Sequence, residues 1–373
     1  MKRQPRTLDL FCGIGGLTIG LERAGFKSIG GVDHWEDAAT TFEHNLKPLR
    51  CFQSDLTETS VADIEKYFDI DASDIDVVVG GPPCQGFSTI GKRDLADPRN
   101  QLWKHYFELV EEIRPAYVLI ENVEGLWIAD EGKFKENIIR AFEGNGYQME
   151  CRLIRSADYG VPQLRKRVVF LGCLSGLAPV KFPEATCKKY VTVADAIFDL
   201  PKLGPNQAAT EYAGPAITRF QKDRRKGCRA LSNHQTSNHP PSLIEVLKHI
   251  PDGGNRLSIP DRLQPKSGFH NSYARLASDK PAIAVTSTMH KPSSARTTHP
   301  TQHRGLTVRE GLRLQTFDDN FVVLGARTRQ FLQVGNAVPP LLAETFGKAI
   351  IDAFAKNSDA AIKRARKANS VLV

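Results

Sequence analysis

Short apolar runs alternate with amphipathic stretches over the first ~175 residues. Thr7–Phe11 predicts a buried strand, Gly13-Ile14-Gly15-Gly16 a tight turn, and Leu17–Ala24 a helix with Gly25 at its C-cap. Ser28–Val32 predicts a second strand ending at Asp33. Glu36–Asn45 then reads as helix, and Cys51–Ser54 as a short third strand ending at Asp55. Ile75–Val79 is apolar and β-branched, and it closes in Gly80-Gly81-Pro82-Pro83. Asn100–Ile113 is helical, Ala116–Ile120 is another buried strand, and Phe134–Phe142 is a helix stopped by Gly144-Asn145-Gly146. Gln148–Arg155 and Arg167–Gly172 give two further strands, joined by a loop around Pro162.

This alternation defines an α/β chain with a doubly wound, mostly parallel seven-stranded sheet. The last two strands lack a crossover helix, so they should pair as an antiparallel edge hairpin. Ligands of such sheets bind at the carboxyl ends of the strands. Asp33, Asp55, Cys84 and Glu121 each fall at or just past a strand end.

The rhythm changes after residue 175. Residues 201–300 are rich in Pro, Gly, Ser, Asn and His, and Ser242–Ile250 is the clearest helix among them. Helical patterns return at Val308–Gln315 and Pro340–Ala355, and the basic stretch Lys363–Val373 should fray. The expected division is a catalytic domain over 1–175, a smaller loop-rich domain over 176–298, and a return to the catalytic domain over 299–373.

Composition narrows the class. Hydrophobic residues make up 41% of the chain, enough for a real core. No apolar run approaches the ~20 residues that span a bilayer. The seven cysteines form no CxxC pair, so neither a disulfide framework nor a metal site is expected, and the cytosol is the expected compartment. Net charge is +8, and residues 202–304 hold 16 Lys+Arg against 6 Asp+Glu. That segment alone carries +10, so the remainder of the chain carries −2. A solvated basic surface would account for this, but its confinement to one segment favours a nucleic-acid face.

Three local patterns carry chemistry. Asp9–Gly16 joins a strand, a glycine turn and a helix N-terminus, a cradle for a nucleoside cofactor, with Asp33 placed to accept from ribose hydroxyls. A plain strand–helix turn or a nicotinamide site would fit the same residues. Cys84 follows two prolines just past a buried strand, where a thiolate is accessible for attack. Glu121 ends the next strand and suits acid–base work on a heteroaromatic ring, or a helix cap.

Taken together and in order, these motifs resemble the DNA cytosine-5 methyltransferase family. The match runs through Asp9–Gly16, Pro82-Pro83-Cys84-Gln85, Glu121-Asn122-Val123, Gln163-Leu164-Arg165-Lys166-Arg167, Arg309-Glu310 with Arg313-Leu314-Gln315, and Gln333-Val334-Gly335-Asn336-Ala337-Val338-Pro339-Pro340. It departs at Cys12, where the family often has a small residue, and at Phe317-Asp318-Asp319, which lacks the usual Pro.

The resemblance implies a Rossmann-like S-adenosylmethionine-dependent fold. It implies Cys84 as the nucleophile toward C6 of a flipped cytosine and Glu121 on the N3/N4 edge. Arg165 would meet O2, Arg167 would support that loop or pair with a nearby acid, Gln163 would belong to the catalytic set, and Gln85 would fill the vacated stack. S-adenosylmethionine would lie on Phe11, Gly13, Gly15, Gly16, Leu17, Asp33, His34 (or Trp35), Asp55, Leu56, Pro83, Leu102, Asn336 and Val338, leaving S-adenosylhomocysteine. The loop Gln85–Arg99 would close over double-stranded DNA through Ser88, Lys92, Arg93 and Arg99. The basic insert would read the target site, with Arg224, Arg225, Lys226 and Arg229 as phosphate contacts. A monomeric bacterial modification enzyme, paired with a restriction endonuclease of the same site, is the expected setting. The rivals are an RNA cytosine-5 methyltransferase on the same motifs and an inactive DNA-binding relative; the latter should have lost Cys84, Glu121 or part of the cofactor loop.

Overall fold

The computed structural model describes residues 3–83, 102–265, 272–293 and 296–369. The chain forms two compact units. One comprises residues 1–155, 166–184 and 340–373, and the other residues 156–165 and 185–339.

The first unit is built on a seven-stranded sheet. Its strands are β1 (Arg6–Leu10), β2 (Lys27–Asp33), β3 (Arg50–Gln53), β4 (Val77–Gly80), β5 (Tyr117–Val123), β6 (Tyr147–Arg155) and β7 (Lys166–Leu174). The spatial order is β3-β2-β1-β4-β5-β7-β6. β1 through β5 run parallel, while β7 lies antiparallel between β5 and the edge strand β6. The order reverses between β1 and β4, so their carboxyl ends leave a crevice. β4 is buried throughout, as its unbroken Val77-Val78-Val79 run requires of a strand covered on both faces.

Helices α1 (Gly16–Ala24), α2 (Glu36–Asn45), α3 (Val61–Phe68), α4 (Leu102–Ile113), α5 (Gly125–Ile128) and α6 (Lys133–Gly144) follow the strands. α12 (Pro340–Phe354) packs on α1, and α13 (Asp359–Asn369) ends the unit. The α1–α12 approach depends on small residues: a Cβ at Gly20 would sit 2.4 Å from the Ala343 Cβ. α3 has no counterpart among the predicted elements, yet Ser60 and Asp63 close a reciprocal capping box at its start.

Fraying from Lys363 is also corrected by the structure. α13 continues through Asn369, with Ile362 and Ala365 buried, and Arg366 donates to the Ile75 carbonyl at 2.6 Å. Docking of this short amphipathic stripe outweighs the mutual repulsion of its basic residues.

The second unit has short helices, α7 (Val193–Ile197), α8 (Arg219–Arg225), α9 (Pro241–Lys248), α10 (Val308–Leu314) and α11 (Arg327–Asn336), linked by long loops. Loops leave backbone carbonyls unpaired, and buried carbonyls need donors. Here arginines supply them. Arg275 donates to the carbonyls of Leu247, Ile250, His299 and Gln302. Arg309 reaches those of Ser232 and Phe321. Arg313, fully buried, lies between the carboxylates of Asp199 and Asp319. Asp319 therefore anchors the turn after Phe317 by an ion pair, where the family pattern has a proline.

The second unit is wider than the insert drawn from composition. Residues 156–165 belong to it because Leu164 donates to the Ala282 carbonyl and Gln163 bonds to Val285, Leu314 and Gln315. Residues 299–339 belong to it through the arginine network.

Candidate active site

The cofactor turn is held in backbone conformations that few residues adopt. Phe11, Gly13 and Gly15 have φ of 62°, 53° and 85°. A Cβ on Gly15 would meet Leu46 and Phe42 at 2.6 and 2.9 Å, whereas one on Gly13 would meet nothing within 4 Å. Packing leaves no room for a side chain at Gly15, whereas the space beside Gly13 is open. Asp33, at the end of β2, accepts from the Gly13 N–H at 2.8 Å and the Trp35 N–H at 2.9 Å. Burial pushes its carboxyl above the ordinary range, and those two N–H groups oppose the shift.

Asp9 lies beneath the same turn. One of its oxygens accepts from the Thr18 hydroxyl at 2.7 Å and the Thr18 N–H at 3.2 Å. Its other oxygen is buried without a hydrogen-bond partner. Burial pushes the carboxyl up to about 7. Asp55 is exposed and turns onto Thr57, whose N–H and hydroxyl hold its carboxyl below the usual range. Leu17 and Leu56 are buried, His34 is exposed, and Pro83 and Leu102 are half-buried.

The second cluster of this unit lies where β5, β7 and the β4 loop meet. Glu121 and Arg167 form an ion pair, Oε1 to Nε 2.6 Å, with side chains 11% and 12% exposed. Asn122 donates to the Pro82 carbonyl at 2.9 Å and so ties the acid strand to the loop that leads into Cys84. Asn122 belongs to the motif around Glu121, and the pairing of β4 with β5 gives it this tie. Gly81 lies beside the acid: a Cβ there would sit 3.6 Å from Glu121 Oε2, in ordinary van der Waals contact.

The Gln163–Arg167 motif divides between the units: Gln163 and Arg165 lie in the second, while Arg167 pairs with an acid in the first, one of the two placements expected for it. Gln163 is fully buried in the second unit, bonded to the Leu314 carbonyl, the Val285 N–H and the Gln315 side chain. Arg165 is buried in the same unit, donating to the carbonyls of Val285 and Gly335 at 3.1 Å. Arg167 alone is seated on Glu121. Successive strand residues point to opposite faces, but Arg165 precedes β7, so strand parity did not fix its direction.

Other candidates divide similarly. Arg224 lies against Asp318 and donates to the Thr316 carbonyl. Arg225 donates to the Gly214 carbonyl and stacks 3.5 Å over the Tyr212 ring. Both are turned inward, contrary to the expected phosphate contacts, whereas Lys226 and Arg229 are exposed. Asn336 is exposed at the end of α11, and Val338 is half-buried beyond it. Cys84, Gln85, Ser88, Lys92, Arg93 and Arg99 lie outside the described residues. Among the described residues, no group of three or more His, Cys, Asp or Glu is placed to hold a metal ion.

A doubly wound sheet with a glycine turn after β1, a buried carboxylate at the end of β2 and an acid–arginine pair between β5 and β7 places the chain among α/β folds of the Rossmann-like kind. Residues 5–352 match the family described as C-5 cytosine-specific DNA methylase. The chain belongs to that family and is a DNA (cytosine-5-)-methyltransferase.

It is 39% identical to the type II methyltransferase M1.HphI of Haemophilus parahaemolyticus, over 92% of this chain and 86% of that protein. To the type II methyltransferase M.XorII of Xanthomonas oryzae pv. oryzae it is 33% identical, over 95% and 87%. The fold also superposes on the crystal structure of a prophage-encoded E. coli protein described as a DNA modification methyltransferase. That match has TM-score 0.77 and 25% identity, covering 94% of this chain and 100% of the other.

Proposed function

We propose that the enzyme methylates C5 of a cytosine flipped out of a specific duplex DNA site, with S-adenosylmethionine as donor and Cys84 adding covalently to C6. The observation that carries this reading is the Glu121–Arg167 pair beside the Pro82 carbonyl held by Asn122. A protonatable carboxyl and a fixed guanidinium, side by side and nearly buried, match the N3/N4 edge and the O2 of one pyrimidine. Arg167 takes the O2 role first assigned to Arg165.

The residues present fit the cofactor. A cationic ligand suits the unpartnered, buried oxygen of Asp9. Asp33 keeps a lone pair for a ribose hydroxyl, because a carboxylate accepts more than the backbone bonds it makes here to Gly13, His34 and Trp35. Phe11, Gly13, Gly15, Gly16 and Leu17 would flank the ligand, with His34, Asp55 and Leu56 toward its base. When bound, S-adenosylmethionine supplies an electrophilic methyl group.

Thiolate addition at C6 makes the C5–C6 edge of the base an enamine, nucleophilic at C5. Glu121 holds the proton at N3 that balances the electrons pushed into the ring. Arg167 offsets the charge that develops on O2. Loss of the C5 proton then expels Cys84. The target carbon is stacked inside a duplex, and unstacking it costs roughly a few kcal/mol.

The type II names of the relatives support a role in restriction–modification beside an endonuclease of the same specificity. No helix among the described residues is long and apolar enough to cross a membrane, and a cytoplasmic enzyme is the reading that suits a DNA substrate. Bisulfite sequencing of unmethylated genomic duplex treated with the protein and S-adenosylmethionine tests the reading. Methylation at one short motif, absent with Cys84→Ala, is expected. Fully converted cytosines in both samples, with transfer to tRNA instead, would overturn it.

A further inference from the structure

Two cysteines that the methyl-transfer chemistry does not use meet beneath the cofactor turn. Cys12 lies in the turn between Phe11 and Gly13, and Cys51 lies on β3. They are 39 residues apart in the chain, yet their sulfur atoms are 3.5 Å from each other. Both are free thiols, and both are buried. The side chain of Cys12 reaches β3 across Gly31 of β2, where a Cβ would sit 2.5 Å from Cys12 Sγ. Ala39 and Phe42 complete the cluster. Cys12 is also a departure from the family pattern, which often has a small residue at that position.

The two sulfurs are mounted on unequal supports. Cys51 is paired with Gly31 in the sheet, its N–H donates to Glu43 at 2.9 Å, and the Tyr67 hydroxyl donates to its carbonyl at 3.0 Å. Cys12 sits in a turn whose flanking residues both have left-handed φ. Its N–H donates to the Val32 carbonyl at 3.1 Å, and the next N–H, of Gly13, donates to Asp33 at 2.8 Å. A disulfide bond is ~2.05 Å long, so the sulfurs must close by roughly 1.5 Å. With β3 held in the sheet, most of that movement falls on the turn and draws Gly13 away from Asp33.

The open side of the turn admits a small reagent, since a Cβ on Gly13 would meet nothing within 4 Å. Burial holds the Cys12 thiol well above its ordinary range, so the resting pair is a dithiol that reacts slowly.

We propose that Cys12 and Cys51 are a redox-modification site, closing to a disulfide when a peroxide reaches the turn and thereby weakening cofactor binding. The inference rests on the S-adenosylmethionine reading above. The Cys12 thiolate attacks one peroxide oxygen and breaks the O–O bond, which leaves a sulfenic acid and, with the thiol proton, one water. The Cys51 thiolate then attacks the sulfenic sulfur and expels hydroxide, which takes the second thiol proton as water. Two thiols thus lose two electrons and two protons, and hydrogen peroxide becomes two waters. An added dithiol reverses the change by exchange. A nucleoside cofactor seated on the turn covers its open side, so the loaded enzyme resists oxidation.

The test treats full-length protein with hydrogen peroxide and follows it by mass spectrometry of its peptides and by calorimetry with S-adenosylhomocysteine. A peptide pair joined between Cys12 and Cys51, two hydrogens lighter than the dithiol, is expected. Binding should weaken roughly tenfold, within the usual range of coupling between two events on one protein. Dithiothreitol should restore both, and S-adenosylhomocysteine present during treatment should slow the link. Cys51→Ala and Cys51→Ser should bind as the reduced wild type does, before and after peroxide, which separates this pair from oxidation at Cys84. Failure to form the link, with both thiols still open to alkylation in denaturant, would overturn the proposal. So would a link that leaves the affinity unchanged, or an equal loss of affinity in the Cys51 variants. A reduced wild type that binds no S-adenosylhomocysteine would overturn the cofactor reading, and this inference with it.

Discussion

Arg167→Ala isolates the pair on which the proposed chemistry turns. The substitution leaves the Glu121 carboxylate, 11% exposed, without the guanidinium 2.6 Å away. Breaking a buried pair by removing one partner costs about 3–5 kcal/mol, because an uncompensated charge stays behind. Some solvent reaches both side chains, so the lower end, about 3 kcal/mol, applies. That is roughly a hundredfold in the folding equilibrium of the unit. Urea unfolding of wild type, Arg167→Ala, Glu121→Gln and the double variant completes a cycle. Most of the loss should return in the double variant, since the stranded charge has gone. Methyl transfer should fall by ~10²-fold or more in Arg167→Ala, the scale of a lost charge-stabilising donor. Arg165→Ala, which uncaps two carbonyls, should act through stability. Losses that simply add in the double variant would refute the argument that the pair is coupled.

Three further outcomes are expected. Asp9 has a folded pKa of about 7 against an ordinary 3.8, so the native state binds the extra proton and stability attributable to this group is lost as pH rises from 4 to 7; Asp9→Asn should flatten the urea midpoint across that window and exceed wild type above it. Gly15→Ala places a Cβ against Phe42 and Leu46 at a left-handed residue, and calorimetry with S-adenosylhomocysteine should show at least tenfold weaker binding. Arg225→Ala should lower the unfolding free energy by roughly 1–2 kcal/mol through its lost carbonyl bond and ring contact, with the salt slope of DNA binding unchanged, whereas Lys226→Ala should leave stability untouched; the reverse pattern would show Arg225 facing DNA.

The strand–helix alternation was legible from the sequence because each unit of the sheet carries its own period, and burial on both faces writes continuous apolar runs such as Val77–Val79. The strand ends then located Asp33 and Glu121 without any tertiary knowledge, and the glycines of the first turn followed from local backbone demands. α13 was harder to read: its apolar stripe is two residues wide, and only the surface it meets makes it a helix.

What the sequence determined by itself was the sheet, the order of the motifs, the placing of Asp33 and Glu121 at strand ends and the concentration of positive charge in one segment. Local periodicity and residue chemistry suffice for those. The tertiary structure decided which arginine does what. Arg165, Arg224, Arg225, Arg309 and Arg313 look alike in a basic chain, and their roles depend on which distant carbonyls and carboxylates the loops leave unpaired. Arg167 was left for Glu121 because antiparallel pairing of β5 and β7 sets Val123 opposite it, a register that no stretch of the chain records on its own.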